Sequence, residues 1–423
     1  MSLRVCMIEA CEDENAGSIG AFYVRHHAGL AGYPVTVLRE PADGFDVELV
    51  SVHHCSDFPR LAALPKRARW RLVGGHPMQN NPRPAIPFAD AICVGEGESW
   101  IQSALRRLDE THDIESLADM PGTIVSSRWR VGDAVPAAIW EKTLPDNPPH
   151  LNWEGTRSAA WYLELARGCP FACAYCELGN SVPFRQYGVE RMKRAIDSCD
   201  LSRTRKVNFF APDEASHPAY NELYDYLTGR GYSASFASMR VDSVLRRWPK
   251  VKPNHLIRIG VDGLTQETRA RVKKPITDRM LIDYFRGFIE RGHVNFKMFM
   301  IVGYPWDTVG DFERWSKTMS ALMRTPLKKS VSLRIKWTPF IPQPCTPLRD
   351  AVPTYDADWQ RRILAWHETH RRPTRSPGWF VELDGLMSPK SHAVQVALTT
   401  GDEFAVQGLP EALPSWHAHL RRA

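Results

Sequence analysis

Short runs of apolar residues alternate with amphipathic stretches along the first third of the chain. The runs have the length of buried strands, and the stretches between them carry apolar residues at helical spacing. Strands that alternate with helices are typical of a parallel α/β sheet. This pattern predicts strands over 4–9, 35–38, 49–52, 69–73 and 91–94. It also predicts a helix over 18–31 and another, after the last strand, that ends near residue 108.

The same alternation returns after residue 159 and continues to residue 337. It predicts six parallel strands with helices between them, and active sites in such β/α repeats lie at the carboxyl ends of the strands. The predicted strands are 161–166, 207–211, 235–239, 256–261, 296–302 and 332–337, and the clearest helices are 189–198 and 278–291.

Composition divides the chain further, because residues 131–158 are rich in Pro, Asn and Trp, as interdomain linkers often are. We therefore expect a Rossmann-like α/β domain over 1–130, the linker over 131–158, a second α/β domain over 159–348 and a small α+β capping region over 349–423. The last region carries two predicted helices and one short strand.

The overall composition is that of an ordinary globular protein. The 423 residues are 43% hydrophobic and 24% charged, which suits two or three domains. No apolar run approaches the length of a membrane span, the first residues lack the features of a signal peptide, and the nine cysteines follow no disulfide framework. We expect a cytoplasmic monomer without a membrane partner. The net charge of +6 permits an anionic substrate but does not argue for one.

The strongest chemical signal is a group of three cysteines just after the strand predicted at 161–166. Cys169, Cys173 and Cys176 have the spacing C-x3-C-x2-C, and Tyr175 directly precedes the last. Thiolates select iron–sulfur clusters, zinc or copper(I), and a [4Fe-4S] cube normally takes four of them. Three cysteines leave one iron open to a small molecule. A structural zinc site usually shows a second paired unit, so a zinc-bound nucleic-acid-binding module is the weaker interpretation.

This cysteine segment resembles the signature of the radical SAM superfamily. The resemblance implies a partial (β/α)6 barrel, a [4Fe-4S] cluster held by the three cysteines, S-adenosylmethionine (SAM) on the open iron and a reductant such as flavodoxin or ferredoxin. It also implies cofactor contacts at successive strand ends. An arginine fork suits the methionine carboxylate of SAM. The residues assigned to SAM in this way are Tyr175, Asp213, Glu214, Ser238, Arg240, Asp262 and Gly303.

Two glycine-containing segments follow predicted strands of the first domain, where ligands of α/β sheets bind, although glycine turns alone explain them equally well. Such a domain ahead of the cysteine segment resembles the cobalamin-dependent radical SAM group. The chain has no Asp-x-His-x-x-Gly segment, so the resemblance implies a corrin bound without a histidine ligand to cobalt, with His54 beneath its lower face. The residues assigned to the corrin are His54, Gly74, Gly75, His76, Gly95, Glu96 and Gly97.

The function implied is a cobalamin-dependent radical SAM C-methyltransferase that acts on an unactivated carbon of an unidentified small molecule, peptide or nucleotide. A radical SAM enzyme without cobalamin, catalysing rearrangement, cyclisation or epimerisation, remains open, as does a catalytically inactive scaffold. A further alternative is a methylthiotransferase-like modifier of RNA or protein. That class carries a second cluster on its first domain, and here Cys11 and Cys55 have suggestive positions, whereas His76 stands at the third.

Overall fold

The computed structural model describes residues 3–11, 18–145, 148–152, 156–236, 239–371, 376–407 and 409. These residues form two compact units. The first unit comprises the described residues up to 152 together with those from Val394 onward, and the second comprises those from 156 to Ala393. None of the helices in these ranges is long and apolar enough to span a membrane.

The first unit is built on a six-stranded sheet in the order β2-β1-β3-β4-β5-β6. The first five strands are parallel and β6 is antiparallel to β5. The order 2-1-3-4-5 is the doubly wound, flavodoxin-like arrangement, in which ligands bind at the carboxyl ends of β1 and β3. The strands are β1 (Val5–Glu9), β2 (Val35–Leu38), β3 (Val47–Ser51), β4 (Trp70–Gly74), β5 (Ala91–Cys93) and β6 (Thr123–Val125).

Both faces of this sheet are covered, which explains why its central strands are almost continuously apolar. Val5 and Met7 of β1 point into one core, and Ile8 points into the other. The first core also contains apolar residues of α1 and α3, and the second contains those of α2 and of the C-terminal half of α11 (Pro389–Thr400). The helices are α1 (Ile19–Leu30), α2 (Phe58–Ala63) and α3 (Glu98–Thr111).

The packing of the first unit continues past residue 130, into the segment that was predicted to be a linker. Ile139 forms a parallel bridge with Gly95 and accepts a hydrogen bond from the Glu96 amide at 2.9 Å. Val135 and Ala138 pack against the same unit. The first unit therefore extends beyond residue 130. A short strand, β7 (His150–Asn152), follows this segment.

All six strands predicted for the second α/β domain are present, and each is parallel to its neighbour. They form the series β8-β11-β12 and β13-β14-β15, which a bridge between Met239 and Ile259 connects. The strands are β8 (Ala160–Glu164), β9 (Ala166–Arg167), β10 (Arg185–Gln186), β11 (Lys206–Phe210), β12 (Ser233–Phe236), β13 (Ile257–Gly260), β14 (Asn295–Val302) and β15 (Val331–Pro339).

A seventh parallel strand, β16 (Trp379–Leu386), comes from the region predicted to be a separate cap. It pairs with β15 along most of its length, so the capping interpretation is wrong for this strand. Sequence separation hid the pairing, because nothing in a short apolar run identifies its partner strand.

Helices cover one face of these strands. Phe285 of α8 lies 4.9 Å from Phe296 of β14, and Trp315 of α9 lies 4.8 Å from Trp337 of β15, ring centre to ring centre. Since side chains alternate along a strand, the intervening residues point to the opposite face. The helices are α4 (Val189–Asp197), α5 (Tyr220–Gly229), α6 (Val241–Arg246), α7 (Gln266–Arg271), α8 (Asp278–Glu290), α9 (Val309–Met323), α10 (Ala357–His370) and α11 (Pro389–Thr400).

A buried ion pair joins adjacent strands of the first unit and predicts a large stability effect. Arg71 Nε lies 2.6 Å from Glu48 Oε1, and the two side chains are 4% and 1% exposed. Arg71→Met leaves the Glu48 carboxylate buried without its partner, so we expect urea unfolding to show a loss of about 3–5 kcal/mol.

The exposed pair of Arg4 and Asp46, 3.6 Å apart with side chains 66% and 37% exposed, supplies the matched control. Arg4→Met should cost less than about 1 kcal/mol. Equal losses in the two variants would contradict the importance assigned to the buried pair.

Candidate functional site

The three cysteines lie on one loop, residues 168–184, which we call the cysteine loop. It is flanked by the short antiparallel strands β9 and β10 and follows directly after β8. All three thiols are free of disulfide bonds. Cys173 is 5% exposed, whereas Cys169 and Cys176 are partly exposed. The loop therefore offers its thiols at the carboxyl end of the first strand of the second unit, as predicted.

Two glycines allow the cysteine loop to fold tightly on itself. Gly168 has φ +69°, and a Cβ there would collide with the carbonyl oxygens of Val182 and Pro183. A Cβ at Gly179 would overlap the carbonyl oxygen of Phe171. Only glycine allows the close approach at both points, and Gly168 also adopts a backbone conformation that favours glycine.

Asn180 holds the backbone of two of the cysteines in place. Its side-chain amide donates to the carbonyl oxygen of Cys173 at 2.8 Å and to that of Cys176 at 2.7 Å. The amide of Cys176 also donates to the Cys173 carbonyl at 3.0 Å. Sequence reasoning missed this residue. An asparagine amide has two donors, but no spacing rule indicates which carbonyls it will reach.

The thiol of Cys173 lies beside a cation. Arg240 Nη1 is 3.2 Å from Cys173 Sγ, and the guanidinium carbon lies 3.8 Å from the centre of the Phe171 ring. The same guanidinium binds both carboxylate oxygens of Asp242, at 2.9 and 3.1 Å. Arg240 therefore positions the cysteine loop and is already paired with an acid, and its predicted contact with SAM stays a prediction.

Burial raises the pKa of Cys169 and raises that of Cys176 to about 12. Both groups are therefore neutral thiols at neutral pH when nothing is bound. Metal or cluster binding would release their protons. Among the described residues, no three His, Cys, Asp or Glu side chains converge on a single ion. A cube uses one thiolate for each iron, so its ligands do not need to meet at one point.

Asp213 and Glu214 follow β11 as predicted, but both are deeply buried, 3% and 0% exposed. Asp213 accepts hydrogen bonds from the backbone amide of Arg240 at 3.0 Å and from Ser243 Oγ at 2.6 Å. Burial raises the pKa of Asp213. The structure thus explains Asp213 as a residue that fixes the start of α6 beside the cysteine loop.

Asp262 joins the end of β13 to the cysteine loop. Its carboxylate accepts a hydrogen bond from the Tyr175 hydroxyl at 2.6 Å and forms an ion pair with Lys274. Its carbonyl accepts from the Tyr304 hydroxyl at 3.1 Å. Asp262 and Tyr175, predicted separately as cofactor residues, are thus direct partners, which their distance in sequence concealed.

Gly303 ends β14 in a conformation with φ +85°. A Cβ at Gly303 would come within 2.9 Å of the Tyr355 amide nitrogen. The Gly303 amide donates a hydrogen bond to Asp307 Oδ2 at 3.0 Å. Burial raises the pKa of Asp307 to about 7. This segment is therefore a rigid turn at a strand end. Ser238, which was also assigned to SAM from the sequence, lies outside the described residues.

Most glycines assigned to a corrin serve the packing of the first unit. A Cβ at Gly75 would collide with the carbonyl of Val52, and one at Gly95 with that of Ile139. Gly97 closely approaches the side chain of Val24. Gly74 differs, because a Cβ there would meet nothing nearer than 3.9 Å.

The polar residues assigned to the same ligand are also engaged. His54 accepts a hydrogen bond from the Ser56 amide through Nδ1 at 3.3 Å, and its Nε2 lies 3.1 Å from Gln395 Nε2. Glu96 accepts a hydrogen bond from the Glu141 amide at 2.7 Å. His76 begins a short 3-10 turn after β4. A role for His54 beneath a corrin stays a prediction.

A cavity of about 450 Å³ borders the cysteine loop. Pro170 and Phe171, between the first two cysteines, form one wall, and Arg246 and Arg247 form another. The volume lies in the range of small-molecule sites. The loop is therefore accessible from the side of α6.

Three comparisons with known proteins bear on this site. Residues 163–318 match the Radical SAM superfamily. An uncharacterized protein of Methanocaldococcus jannaschii is 24% identical over 375 residues, covering 85% of this chain and 78% of that protein. The hopanoid C-3 methylase of Methylococcus capsulatus is 22% identical over 262 residues, covering 55% of this chain and 48% of the methylase.

Among solved structures, the fold is similar to that of TsrM, a radical S-adenosylmethionine methyltransferase from Kitasatospora setae. The structure with tryptophan substrate and a SAM analogue has a TM-score of 0.62 at 14% identity, covering 82% of this chain and 75% of TsrM. The structure with cobalamin and a [4Fe-4S] cluster bound has a TM-score of 0.61 at 14% identity, covering 82% and 77%. This likeness concerns the fold.

The two hydrogen bonds of Asn180 predict that Asn180→Ala weakens cluster retention. Without them the carbonyls of Cys173 and Cys176 lose their shared donor, each bond contributing about 1 kcal/mol. We expect iron to be lost several times faster than from wild type when the reconstituted protein is diluted into chelator anaerobically.

Ser181→Ala is the matched control, because Ser181 Oγ donates to the Glu177 carbonyl at 3.0 Å rather than to the carbonyl of a proposed cluster ligand. Its rate of iron loss should match wild type. If both variants lose iron at the wild-type rate, Asn180 does not hold the site.

Proposed function

We propose that this chain, whose residues 163–318 match the Radical SAM superfamily, is a cobalamin-dependent radical SAM enzyme that transfers a methyl group to a carbon atom. The observation that carries this proposal is the combination, in one chain, of a cysteine loop at the end of β8 with a separate 2-1-3-4-5 sheet. The hopanoid C-3 methylase and TsrM support the reaction class.

The cysteine loop fits a [4Fe-4S] cluster. It presents three free thiols on one short segment, and each is close enough to influence the charge of another. The guanidinium of Arg240 beside Cys173 would lower the cost of thiolate charge in a partly buried site. We propose Cys169, Cys173 and Cys176 as the cluster ligands, with the fourth iron open to SAM.

The strand ends around the loop fit a role in positioning SAM. Asp213, Arg240 and Asp262 each connect a strand end with the loop or with the helix beside it. Pre-organised groups of this kind orient a bound molecule without rearranging. Bound cluster and SAM would supply radical chemistry, and an external reductant, which radical SAM enzymes require, would supply the electron.

The first unit fits a corrin at the carboxyl edge of its sheet. Sheets of the order 2-1-3-4-5 bind ligands in a crevice at this edge. Gly74, at the end of β4, has room beside it, because a Cβ there would meet nothing nearer than 3.9 Å. Both ring nitrogens of His54 have protein partners, which favours a corrin held without a histidine ligand. TsrM, of similar fold, has been solved with cobalamin bound. We propose this unit as the cobalamin domain.

A methylthiotransferase is the second candidate, because Cys11 and Cys55 lie at the ends of β1 and β3. The third position, however, carries His76 in place of a cysteine, so only two thiolates are available there for a second cluster. The iron content of the protein distinguishes the two candidates.

Reconstitution with iron and sulfide under anaerobic conditions should give about four irons per chain, because one cube is expected. Ala substitutions at the three cysteines of the loop should abolish iron binding and SAM cleavage. Cys199→Ala, a buried thiol outside the loop, should do neither. About eight irons per chain would favour the methylthiotransferase, and zinc without iron would exclude a radical SAM enzyme.

Hydroxocobalamin added to the protein should remain bound through gel filtration and give a visible corrin spectrum. Gly74→Leu should fill the space at the end of β4 and prevent this retention. Gly29→Leu, at an exposed helical position with nothing within 4 Å, should retain the corrin. If Gly74→Leu retains the corrin as Gly29→Leu does, the corrin does not bind at the end of β4. If the wild-type protein retains no corrin, cobalamin is not part of the function.

A further inference from the structure

The strands β13, β14 and β15 together carry four basic residues at positions that do not face the helices. In β14 and β15, buried apolar residues alternate with half-buried ones along the whole strand. The buried set faces the helices, as the contacts of Phe296 and Trp337 with α8 and α9 demonstrate. The half-buried set therefore points to the opposite side, which we call the polar face. The basic residues on the polar face are Arg258, Lys297, Arg334 and Lys336.

Three of these cations stand side by side. Arg258 is in register with Lys297, and Lys297 is in register with Arg334. Neighbouring strands lie about 4.8 Å apart, and like charges in register destabilise a sheet. Burial and the charge of Arg334 lower the pKa of Arg258, and burial and the charge of Lys297 lower that of Lys336. This arrangement costs stability.

Acidic residues balance the row incompletely. Lys297 forms an ion pair with Asp384 of β16. Glu382 is in register with Arg334, and Glu214 interacts electrostatically with Arg258. Arg334 and Lys336, however, form neither a hydrogen bond nor an ion pair with any residue that the structure describes. Arg334, in register with Glu382, and Lys336, near the Asp384 carboxylate that pairs with Lys297, are thus half-buried cations without a direct ion pair of their own among the described residues.

One of these two side chains lies opposite a glycine, where an added Cβ would meet only Lys336 Cγ, at 3.9 Å. Lys336 faces Gly385 across the β15–β16 pairing, and Gly385 has no side chain to occupy the polar face. Arg334 and Lys336 are two residues apart on one strand, so their side chains leave the same face about 7 Å apart. That separation suits one carboxylate or phosphate group held between a guanidinium fork and an ammonium.

We propose that the polar face binds an anionic group, a carboxylate or a phosphate, of the molecule on which the enzyme acts, with Arg334 and Lys336 as its ligands. The assignment to a substrate rests on the proposed function. SAM itself is not the expected occupant. Arg334 is the fourth of nine residues of β15, about 16 Å below the strand end where the cysteine loop and the proposed SAM contacts lie.

Equilibrium dialysis of the full chain against radiolabelled inorganic phosphate, and separately against radiolabelled succinate, tests the site. Ionic strength is held constant with sodium chloride. Wild type should bind at least one of the two anions, and Arg334→Gln and Lys336→Gln should each weaken that binding about tenfold or more. Lys329→Gln, an exposed cation just before β15, should leave it unchanged.

Thermal unfolding without added anion separates a binding role from a structural one. Because the register neighbours of Arg334 are one like charge, Lys297, and one opposite charge, Glu382, Arg334→Gln should unfold at a midpoint close to that of wild type. Binding of phosphate alone would assign a phosphate ester, and binding of succinate alone a carboxylate. Binding of neither, or equal binding by Arg334→Gln and Lys329→Gln, would overturn the proposal.

The corrin assay is independent of this result. Arg334→Gln should retain hydroxocobalamin as wild type does, because the proposed corrin residues lie in the other unit. Anion binding without corrin retention would support the anion site and contradict the cobalamin proposal. Corrin retention without anion binding would support cobalamin and contradict the anion site.

Discussion

The second unit depends on the attachment of one short loop to the ends of several strands. Asn180 binds two carbonyls within the cysteine loop, Arg240 reaches it from the start of α6, and the Tyr175 hydroxyl binds Asp262 at the end of β13. The amide of Ala174 donates to the carbonyl of Val272 at 2.9 Å. These contacts come from distant parts of the chain, so the positions of the thiols depend on the packing of the whole unit.

Such attachment matters for the chemistry proposed. A reactive species must form next to its target and away from solvent, which requires that its surroundings be rigid before it forms. The residues around the loop are engaged with one another in the structure, as the Arg240–Asp242 and Asp262–Lys274 pairs illustrate. The site is thus pre-organised by its own ion pairs, and a bound molecule would meet groups already held in place.

The polar face presents the opposite situation. Its cations stand in adjacent register, two of them form no direct ion pair among the described residues, and the strand beyond them contributes a glycine. Natural sequences rarely keep like charges together in a sheet without compensation, because each such pair lowers stability. An anionic ligand would add to the compensation from Glu382 and Asp384, and this electrostatic imbalance is the basis of the anionic substrate that we propose.

Local patterns in the sequence determined the strands, most of the helices and the ligands of the proposed cluster. Apolar runs mark β1 to β5, β8 and β11 to β15 because burial demands them, and thiol spacing identifies the metal-binding segment because thiolates are selective ligands. Only the tertiary structure decided which residues meet. It added β16 to the sheet, used Gly75 and Gly95 for backbone packing and paired Tyr175 with Asp262. It also placed Arg258, Lys297 and Arg334 in one row. The physical reason is that pairing between strands is a long-range choice, and a single strand's sequence records its own burial but not its neighbours.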